Sequence, residues 1–253
     1  GAGGSLAADS VVKAPKDGYT ILFVQNGALT FRPVLDRQAV PYEPLKDLTP
    51  LGLSTRIPTI LTVRGDAPFK NFNELVEFSK KNPGKMRVGV PGIGAAGDFG
   101  VQIINSLTGA GITTVPFTGA SPAVTALRGG HVEGAAMALG ALSGHLKSGA
   151  MTGIVISSKF PEFPNVPTLT ELGYSQNLFG IWLAFFAPAG VPAEVTSAWI
   201  AAIEQAVKAP AIASKLLPLG IVQDYSPPDK LIAEIREESR RVEDIAKKAG
   251  LVK

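Results

Sequence analysis

The chain has 253 residues, of which 45% are apolar and 7% aromatic, with 28 glycines and 20 prolines. This composition is typical of an α/β protein with many short loops and excludes a disordered or fibrous chain, and the length allows one large domain or two of ordinary size. The 24 basic and 21 acidic residues are interspersed, without a basic block that would indicate a nucleic-acid partner, and the absence of cysteine excludes disulfides and cysteine-based zinc or nucleophilic sites.

The predicted elements alternate between helices and strands along the whole chain. In the first half we predict a helix at 5–13, a strand at 19–24, an extended stretch at 57–63, a helix at 71–82, a strand at 86–90 and a helix at 98–107. In the second half we predict strands at 113–117, 131–137, 153–157 and 178–187, and helices at 121–128, 141–147, within 165–173, at 193–208 and at 228–249. This alternation predicts mainly parallel sheets flanked by helices, and such sheets bind ligands beyond the carboxyl ends of their strands.

The most informative motif is Gly92-x-Gly94-x-x-Gly97, which follows the strand at 86–90. Three glycines in this position permit a tight turn that presents backbone N–H groups to an anion at a helix N-terminus. A dinucleotide site would need an acidic residue about 20 positions later, at the end of the next strand. That strand instead ends in Pro-Phe-Thr-Gly at 116–119, so we favour a small carboxylate over a nucleotide pyrophosphate.

Two further turns are expected to present N–H groups in the same way. The first, Gln25-Asn26-Gly27, follows the strand at 19–24. The second, Thr118-Gly119-Ala120-Ser121, adds two hydroxyl groups to its backbone donors, and we predict Ser121 as the N-cap of a helix whose first residue is Pro122. Three such turns at strand ends indicate a binding site for an anion.

The candidates for catalysis are weak. The two histidines, His131 and His145, lie far from any Gly-x-Ser-x-Gly motif and are interpreted as surface residues. The acidic residues are dispersed, and the pair Glu237-Glu238 is interpreted as part of a solvated helix face. We therefore predict no catalytic residue, no metal ligand and no cofactor. The alternative hypothesis is an α/β enzyme that binds a nucleotide or an activated acid at the loop from Gly92 to Gly97.

These turns belong to a series of segments that are spread over the whole chain. The segments are Gly1-Ala-Gly-Gly4, Asp17-Gly-Tyr-Thr20, Pro41-Tyr-Glu-Pro44 with Lys46-Asp47, Gly92-x-Gly94, Val115-Pro-Phe-Thr-Gly-Ala-Ser-Pro-Ala123, Gly129-Gly130 before His131-Val-Glu133, Pro164-Asn-Val-Pro-Thr168, and Trp182 with Ala187-Pro-Ala-Gly190. In this order they resemble the substrate-binding proteins of tripartite tricarboxylate transporters, the Bug or TctC family of periplasmic receptors.

The resemblance implies a two-domain periplasmic-binding-protein fold, type II-like, that closes around its ligand by a hinge. Domain 1 is expected to combine 1–60 with 182–253, and domain 2 to span 61–181, with the hinge near 57–63 and 179–183. Family members carry a first strand, loop and helix upstream of the Gly-Ala-Gly-Gly segment, and this unit is absent from the sequence. No signal peptide is present, so we expect a leader that was removed or truncated.

The resemblance also implies a function. We expect a monomeric, non-catalytic periplasmic receptor that captures a small organic acid in an interdomain cleft and delivers it to the membrane permease subunits of a transporter, with no nucleic-acid partner. Backbone N–H groups, hydroxyls and water would hold the carboxylate, and Trp182 would form an apolar wall near the hinge. The matching pocket positions are Asn26, Gly27, Gly92, Gly94, Ala95, Ala96, Gly97, Asp98, Thr118, Gly119, Ala120, Ser121, Trp182 and the turn after Met137.

One departure from the family concerns the ligand. The family's run after the second glycine is commonly rich in serine and threonine and ends in histidine, whereas this chain has Ala95-Ala96-Gly97-Asp98. Fewer hydroxyls weaken direct contacts to a carboxylate, and Asp98 repels an anion but is able to pair with an amino group. The expected ligand class therefore includes amino-acid-like molecules as well as organic acids.

Overall fold

The computed structural model describes residues 2–252, and these fall into two compact units. Unit 1 combines the N-terminal residues up to Arg56 with the C-terminal residues from Ile181 onward, and unit 2 is Ile57–Gly180. The chain thus passes between the units twice. The boundaries expected from the family resemblance lie at 60/61 and 181/182.

Each unit is built from one sheet and several helices. The strands are β1 Leu22–Gln25, β2 Leu48–Ile57, β3 Thr59–Arg64, β4 Arg87–Val90, β5 Thr113–Pro116, β6 Gly134–Ala138, β7 Met151–Ile156, β8 Ile181–Pro188 and β9 Val222–Ser226. The α-helices are α1 Ser5–Val12, α2 Arg32–Leu35, α3 Pro44–Asp47, α4 Phe72–Lys81, α5 Ala96–Thr108, α6 Ala120–Arg128, α7 Ser143–Lys147, α8 Ala193–Val207, α9 Pro210–Leu216 and α10 Pro228–Lys248. None of the helices in the described residues is both long and apolar enough to cross a membrane.

The sheet of unit 1 has the strand order β1-β8-β2-β9, in which β1 pairs antiparallel with β8 and β2 pairs antiparallel with β9. The last helix, α10, covers part of this sheet because its apolar residues recur at helical spacing. Leu231 and Ile235 of α10 are buried in one cluster with Trp182 and Phe186 of β8. This packing attaches the C-terminal helix to the strand at which the chain returns to unit 1.

The sheet of unit 2 has the order β5-β4-β6-β3-β7. The strands β5, β4 and β6 run parallel, and β3 pairs antiparallel with both β6 and β7. The chain moves from β4 outward to β5 and then back across β4 to β6, so right-handed crossovers place α5 and α6 on opposite faces of the sheet. The carboxyl ends of the three parallel strands therefore meet at one edge, between the starts of these two helices.

The predicted α/β class is confirmed, and the strand pairing is mixed where the sequence analysis expects mainly parallel sheets. The extended stretch predicted at 57–63 is divided, because β2 ends at Ile57 and β3 begins at Thr59 on either side of Pro58, which has no N–H to donate. The short helix predicted within 165–173 is wrong, since these residues form turns. The prediction also missed β2 before Ile57, α9 and β9.

Candidate functional site

The glycine motif forms a turn between β4 and α5, and each of its three positions favours glycine for a different reason. Gly92 and Gly94 have φ angles of 156° and 71°, in the region that other residues rarely adopt. Gly97 lies inside the first turn of α5, where an added Cβ would stand 1.9 Å from the carbonyl oxygen of Ala136 in β6. The first two glycines therefore shape the turn, and the third allows the helix to approach the neighbouring strand closely.

The helix after this turn begins at Ala96, two residues before the predicted start, so Asp98 lies in its first turn. Asp98 Oδ2 accepts a hydrogen bond of 2.9 Å from the Gly94 N–H. A carboxylate is favourable at a helix N-terminus, but here it uses one of the donors expected to receive the ligand. The N–H groups of Ala96 and Gly97 have no intrahelical acceptor, because they belong to the first helical turn. The anion-binding capacity of this turn is thus reduced by the chain's own carboxylate.

The second turn leads into α6, which begins at Ala120 with Gly119 as its N-cap. The prediction of Ser121 as N-cap and Pro122 as first helical residue is therefore wrong by two positions. Gly119 has a φ angle of 152°, which favours glycine, and no side chain caps this helix start. Thr118 and Ser121 are exposed. The backbone N–H groups of Ala120 and Ser121 lack intrahelical acceptors by position, so the turn has the donors that an anion requires.

These two turns lie at the same edge of the unit 2 sheet. Their strands, β4 and β5, are parallel neighbours, and the pairing continues past their ends, where the Phe117 N–H donates to the Val90 carbonyl over 2.9 Å. The turn after Met137 follows β6, the other parallel neighbour of β4, and forms a 3-10 turn at Leu139–Ala141. Fold topology thus brings together three of the predicted turns at one sheet edge.

The remaining predicted turn belongs to unit 1 and is a 3-10 turn at Asn26–Ala28 directly after β1. Asn26 is fully buried, and its Nδ2 donates to Glu238 Oε1 on α10 over 3.0 Å. On the other side of the turn, the hydroxyl of the buried Tyr42 donates to the Ala28 carbonyl over 2.7 Å. The Asn26 side chain is therefore engaged within unit 1.

Trp182 lies one residue after the start of β8 and is only 2% exposed. Its indole Nε1 donates to Glu238 Oε2 over 3.1 Å, and its ring packs in the unit 1 core. The expectation of an apolar wall for the ligand stays a prediction, while the polar edge of this ring has a partner inside the unit.

Glu238 is the functional candidate that the sequence analysis missed. It was interpreted as part of a solvated face, but its carboxylate is partly buried and accepts hydrogen bonds from Asn26, Thr30 and Trp182. Burial raises the pKa of Glu238 above its ordinary value, and the Glu234 carboxylate one helical turn away raises it further, although the three hydrogen bonds act in the opposite direction. A carboxylate that accepts three hydrogen bonds restricts the positions of the side chains that donate them.

One groove of unit 1 does not suit a carboxylate, and the described residues offer no metal site. A groove of about 470 Å³ in unit 1 is lined mainly by apolar side chains such as Phe23, Phe185 and Trp199, and therefore supplies few anion donors. No group of three or more histidine, aspartate or glutamate side chains among residues 2–252 is arranged to hold a metal ion. The turns of unit 2 thus remain the best candidate for an anion site.

The chain is similar to known proteins over almost its whole length. A model described as "Tripartite tricarboxylate transporter family receptor" matches residues 1–251 of the chain. The UPF0065 protein in the TAR-I ttuE-ttuC' intergenic region of Agrobacterium vitis is 32% identical over 255 residues, which cover 99% of this chain and 73% of that protein. BugT of Bordetella pertussis is 27% identical, with 99% of this chain and 77% of BugT covered.

Solved structures with the same fold extend over nearly the whole chain. MatC (Rpa3494) from Rhodopseudomonas palustris, with bound malate, is 30% identical with a TM-score of 0.87, covering 97% of this chain and 85% of MatC. Rpa4515 of R. palustris, with adipate, is 26% identical with a TM-score of 0.91, covering 99% and 84%. The periplasmic binding protein BugD is 29% identical with a TM-score of 0.91, covering 100% and 85%.

Proposed function

The chain belongs to the tripartite tricarboxylate transporter receptor family, and from this premise we propose that it captures a small organic acid at the turns 92–98 and 118–121 of unit 2. It is a solute-binding receptor of this family and not an enzyme, which overturns the alternative hypothesis of a nucleotide-dependent enzyme. As finer parts of the proposal, the turn at Asn26-Gly27 of unit 1 also contacts the acid, the protein works as a periplasmic monomer, and it delivers the acid to the membrane subunits of a transporter.

The observation that carries this proposal is the pair of helix N-termini at adjacent parallel strand ends. Both α5 and α6 begin directly after such a strand, and neither start is capped by the side chain of its N-cap residue. Helix N-termini with unused N–H groups favour a carboxylate through the helix dipole and through direct hydrogen bonds. The malate and adipate in the structures of MatC and Rpa4515 support a carboxylate as the ligand class.

A thermal-shift screen tests the ligand class, because a ligand that binds only the native state raises the melting temperature as its concentration rises. The panel contains malate, adipate, citrate, succinate, aspartate, glutamate, nicotinate and nicotinamide, with NAD as the representative of the excluded alternative. We expect a concentration-dependent rise with at least one acid. A rise with NAD and with none of the acids would contradict the proposal.

Two substitutions in the second turn then test the location. Ser121→Ala removes an exposed hydroxyl from the first turn of α6, and Gly119→Val fills the space at its N-cap, where the nearest heavy atoms lie more than 4 Å from an added Cβ. Thr125→Ala is the matched control for the hydroxyl, because Thr125 is also exposed and its Oγ1 donates only to the Ser121 carbonyl of its own helix.

Gly109→Val is the control for the glycine change, since Gly109 also has a positive φ and open space around an added Cβ but lies at the other end of α5. Isothermal titration should give weaker acid binding for both test variants and unchanged binding for both controls. Equal affinities in all four proteins would remove this turn from the site.

A further inference from the structure

Within unit 1, the carboxylate of Glu238 connects two segments that are far apart in sequence. Its Oε1 receives the Asn26 amide over 3.0 Å and the Thr30 hydroxyl over 2.7 Å, and its Oε2 receives the Trp182 indole N–H over 3.1 Å. Asn26 and Trp182 are both almost fully buried. One side chain on α10 thus holds the turn that follows β1 and the first residues of β8.

We infer that Glu238 is the positioning residue of the receptor: it fixes the Asn26 turn in the conformation that receives the acid. This inference rests on the proposed function, in which the Asn26-Gly27 turn contributes to the site. Glu238 acts through Asn26 and Trp182 and is not itself a contact of the ligand.

A carboxylate satisfies each of the side-chain donors that face it in this place. The Thr30 Oγ1 lies 2.7 Å from Glu238 Oε1 and 3.0 Å from the Asn26 carbonyl, and its single proton serves one acceptor at a time. The Asn26 carbonyl already accepts the N–H groups of Leu29 and Thr30, each over 2.8 Å, so it does not depend on the hydroxyl. An ionised Glu238 therefore receives three donors and needs to donate none.

A glutamine in this position does not reproduce the arrangement. Its single acceptor oxygen can take the Trp182 indole N–H only if its NH2 group faces Asn26 and Thr30, where the Asn26 amide has to turn over and present its oxygen. The negative charge that strengthens all three hydrogen bonds is lost in either case. Glu238→Gln retains the length and volume of the side chain but weakens the network, whereas Glu238→Ala removes all of it. The two variants should therefore form a graded series.

The neighbouring Glu237 provides a matched control. It carries the same charge on the same helix, is exposed, and pairs with Arg240 through hydrogen bonds of 2.8 and 3.2 Å. Glu237→Ala changes the net charge as Glu238→Ala does, without touching the turn.

The test measures the affinity of each purified variant for malate and adipate by isothermal titration, at a temperature where circular dichroism shows every variant folded. We expect Glu238→Ala to weaken binding by about tenfold or more, which is the effect of losing a charge-assisted hydrogen bond. The affinity of Glu238→Gln should be intermediate, and that of Glu237→Ala should stay within about twofold of the unchanged protein. Equal affinity of Glu238→Ala and the unchanged protein would overturn the inference while leaving the proposed function intact.

If the unchanged protein binds no acid in the screen above, the proposed function fails and the inference fails with it. If Glu238→Ala does not fold, Thr30→Val and Trp182→Phe take its place, because each removes one donor and retains the packing. Thr30→Val should weaken binding in the unchanged protein and have no additional effect in Glu238→Gln, since both changes act on the same contact. Additive effects would indicate two independent structural losses and would contradict a positioning role.

A spectroscopic measurement separates positioning from stability. The chain has two tryptophans, so Trp199→Phe leaves Trp182 as the only indole emitter. In that background we expect malate or adipate at saturating concentration to change the Trp182 emission when Glu238 is present and to change it less in Glu238→Gln. The same emission change in both proteins would show that the carboxylate does not connect this ring to the ligand turn.

Discussion

Replacement of Gly97 by alanine tests the close approach of α5 to the unit 2 sheet. The new Cβ would stand 1.9 Å from the Ala136 carbonyl oxygen and 2.5 Å from its carbonyl carbon, and both atoms belong to the backbone of a strand paired on both sides. To restore ordinary contact the helix start must retreat by about 1.5 Å, since the strand cannot yield. We expect Gly97→Ala to lower the free energy of unfolding by about 3 kcal/mol, the upper end of the usual range for overpacking.

Gly100→Ala is a control for which we expect no loss of stability. Gly100 lies in the same helix, and an added Cβ there would meet Leu178 at an ordinary 3.6 Å. Alanine in a helix interior is favoured over glycine by about 1 kcal/mol, so this variant should be as stable as the unchanged protein or more stable. Urea unfolding followed by circular dichroism measures both, and acid binding should weaken only in Gly97→Ala, whose turn is displaced. Similar unfolding midpoints for the two variants would refute the packing argument.

Three further predictions concern charged and titrating groups. Glu234→Ala should lower the unfolding free energy by about 1 kcal/mol, because Glu234 accepts two hydrogen bonds of 2.6 and 2.8 Å from the partly exposed Arg56. The loss should be smaller in 1 M salt, and urea unfolding at low salt and in 1 M salt measures it. Burial raises the pKa of Tyr42 to about 12, above its unfolded value near 10, so stability should fall between pH 10 and 12 in the unchanged protein and less in Tyr42→Phe, as urea midpoints at each pH would show. Asp98→Asn should raise the affinity for succinate about fivefold relative to aspartate, measured by titration calorimetry, because it removes the negative charge from the ligand turn.

The glycine motif shows what the sequence could predict and why. The tight turn and the helix start follow from local backbone chemistry, since residues with positive φ are predominantly glycine. The N-cap of α6 was misplaced because Ser-Pro is a strong local signal for a helix start, while Gly119 at the strand end already turns the chain into the helix. The contact of Gly97 with Ala136 involves two elements separated by a whole crossover, so local sequence did not specify it.

Glu238 was missed although the sequence contained a signal. Apolar residues occupy positions 231, 235, 242 and 245 of α10. With residue 238 between 235 and 242, the spacing alternates between four and three residues, so Glu238 lies on the same helix face as these apolar residues. A carboxylate in a buried stripe needs donors, because burying it without partners is strongly unfavourable. The donors themselves were beyond prediction, since Asn26 and Glu238 are 212 residues apart and only the fold brings them together.

The charge balance of the proposed ligand turns bears on ligand selectivity more directly than the fold does. The turns at 26–28, 92–98 and 118–121 contain no lysine, arginine or histidine, so their anion donors are neutral N–H and hydroxyl groups. Asp98 adds a negative charge and occupies the Gly94 N–H. A ligand carboxylate at these turns would therefore be held by neutral hydrogen-bond donors and helix dipoles, whereas a ligand that also carries an ammonium group would gain an attraction to Asp98. Relatives with the same fold and a neutral residue in place of Asp98 should lack that attraction, so we expect a change at this one residue to alter the preferred acid without any change in architecture.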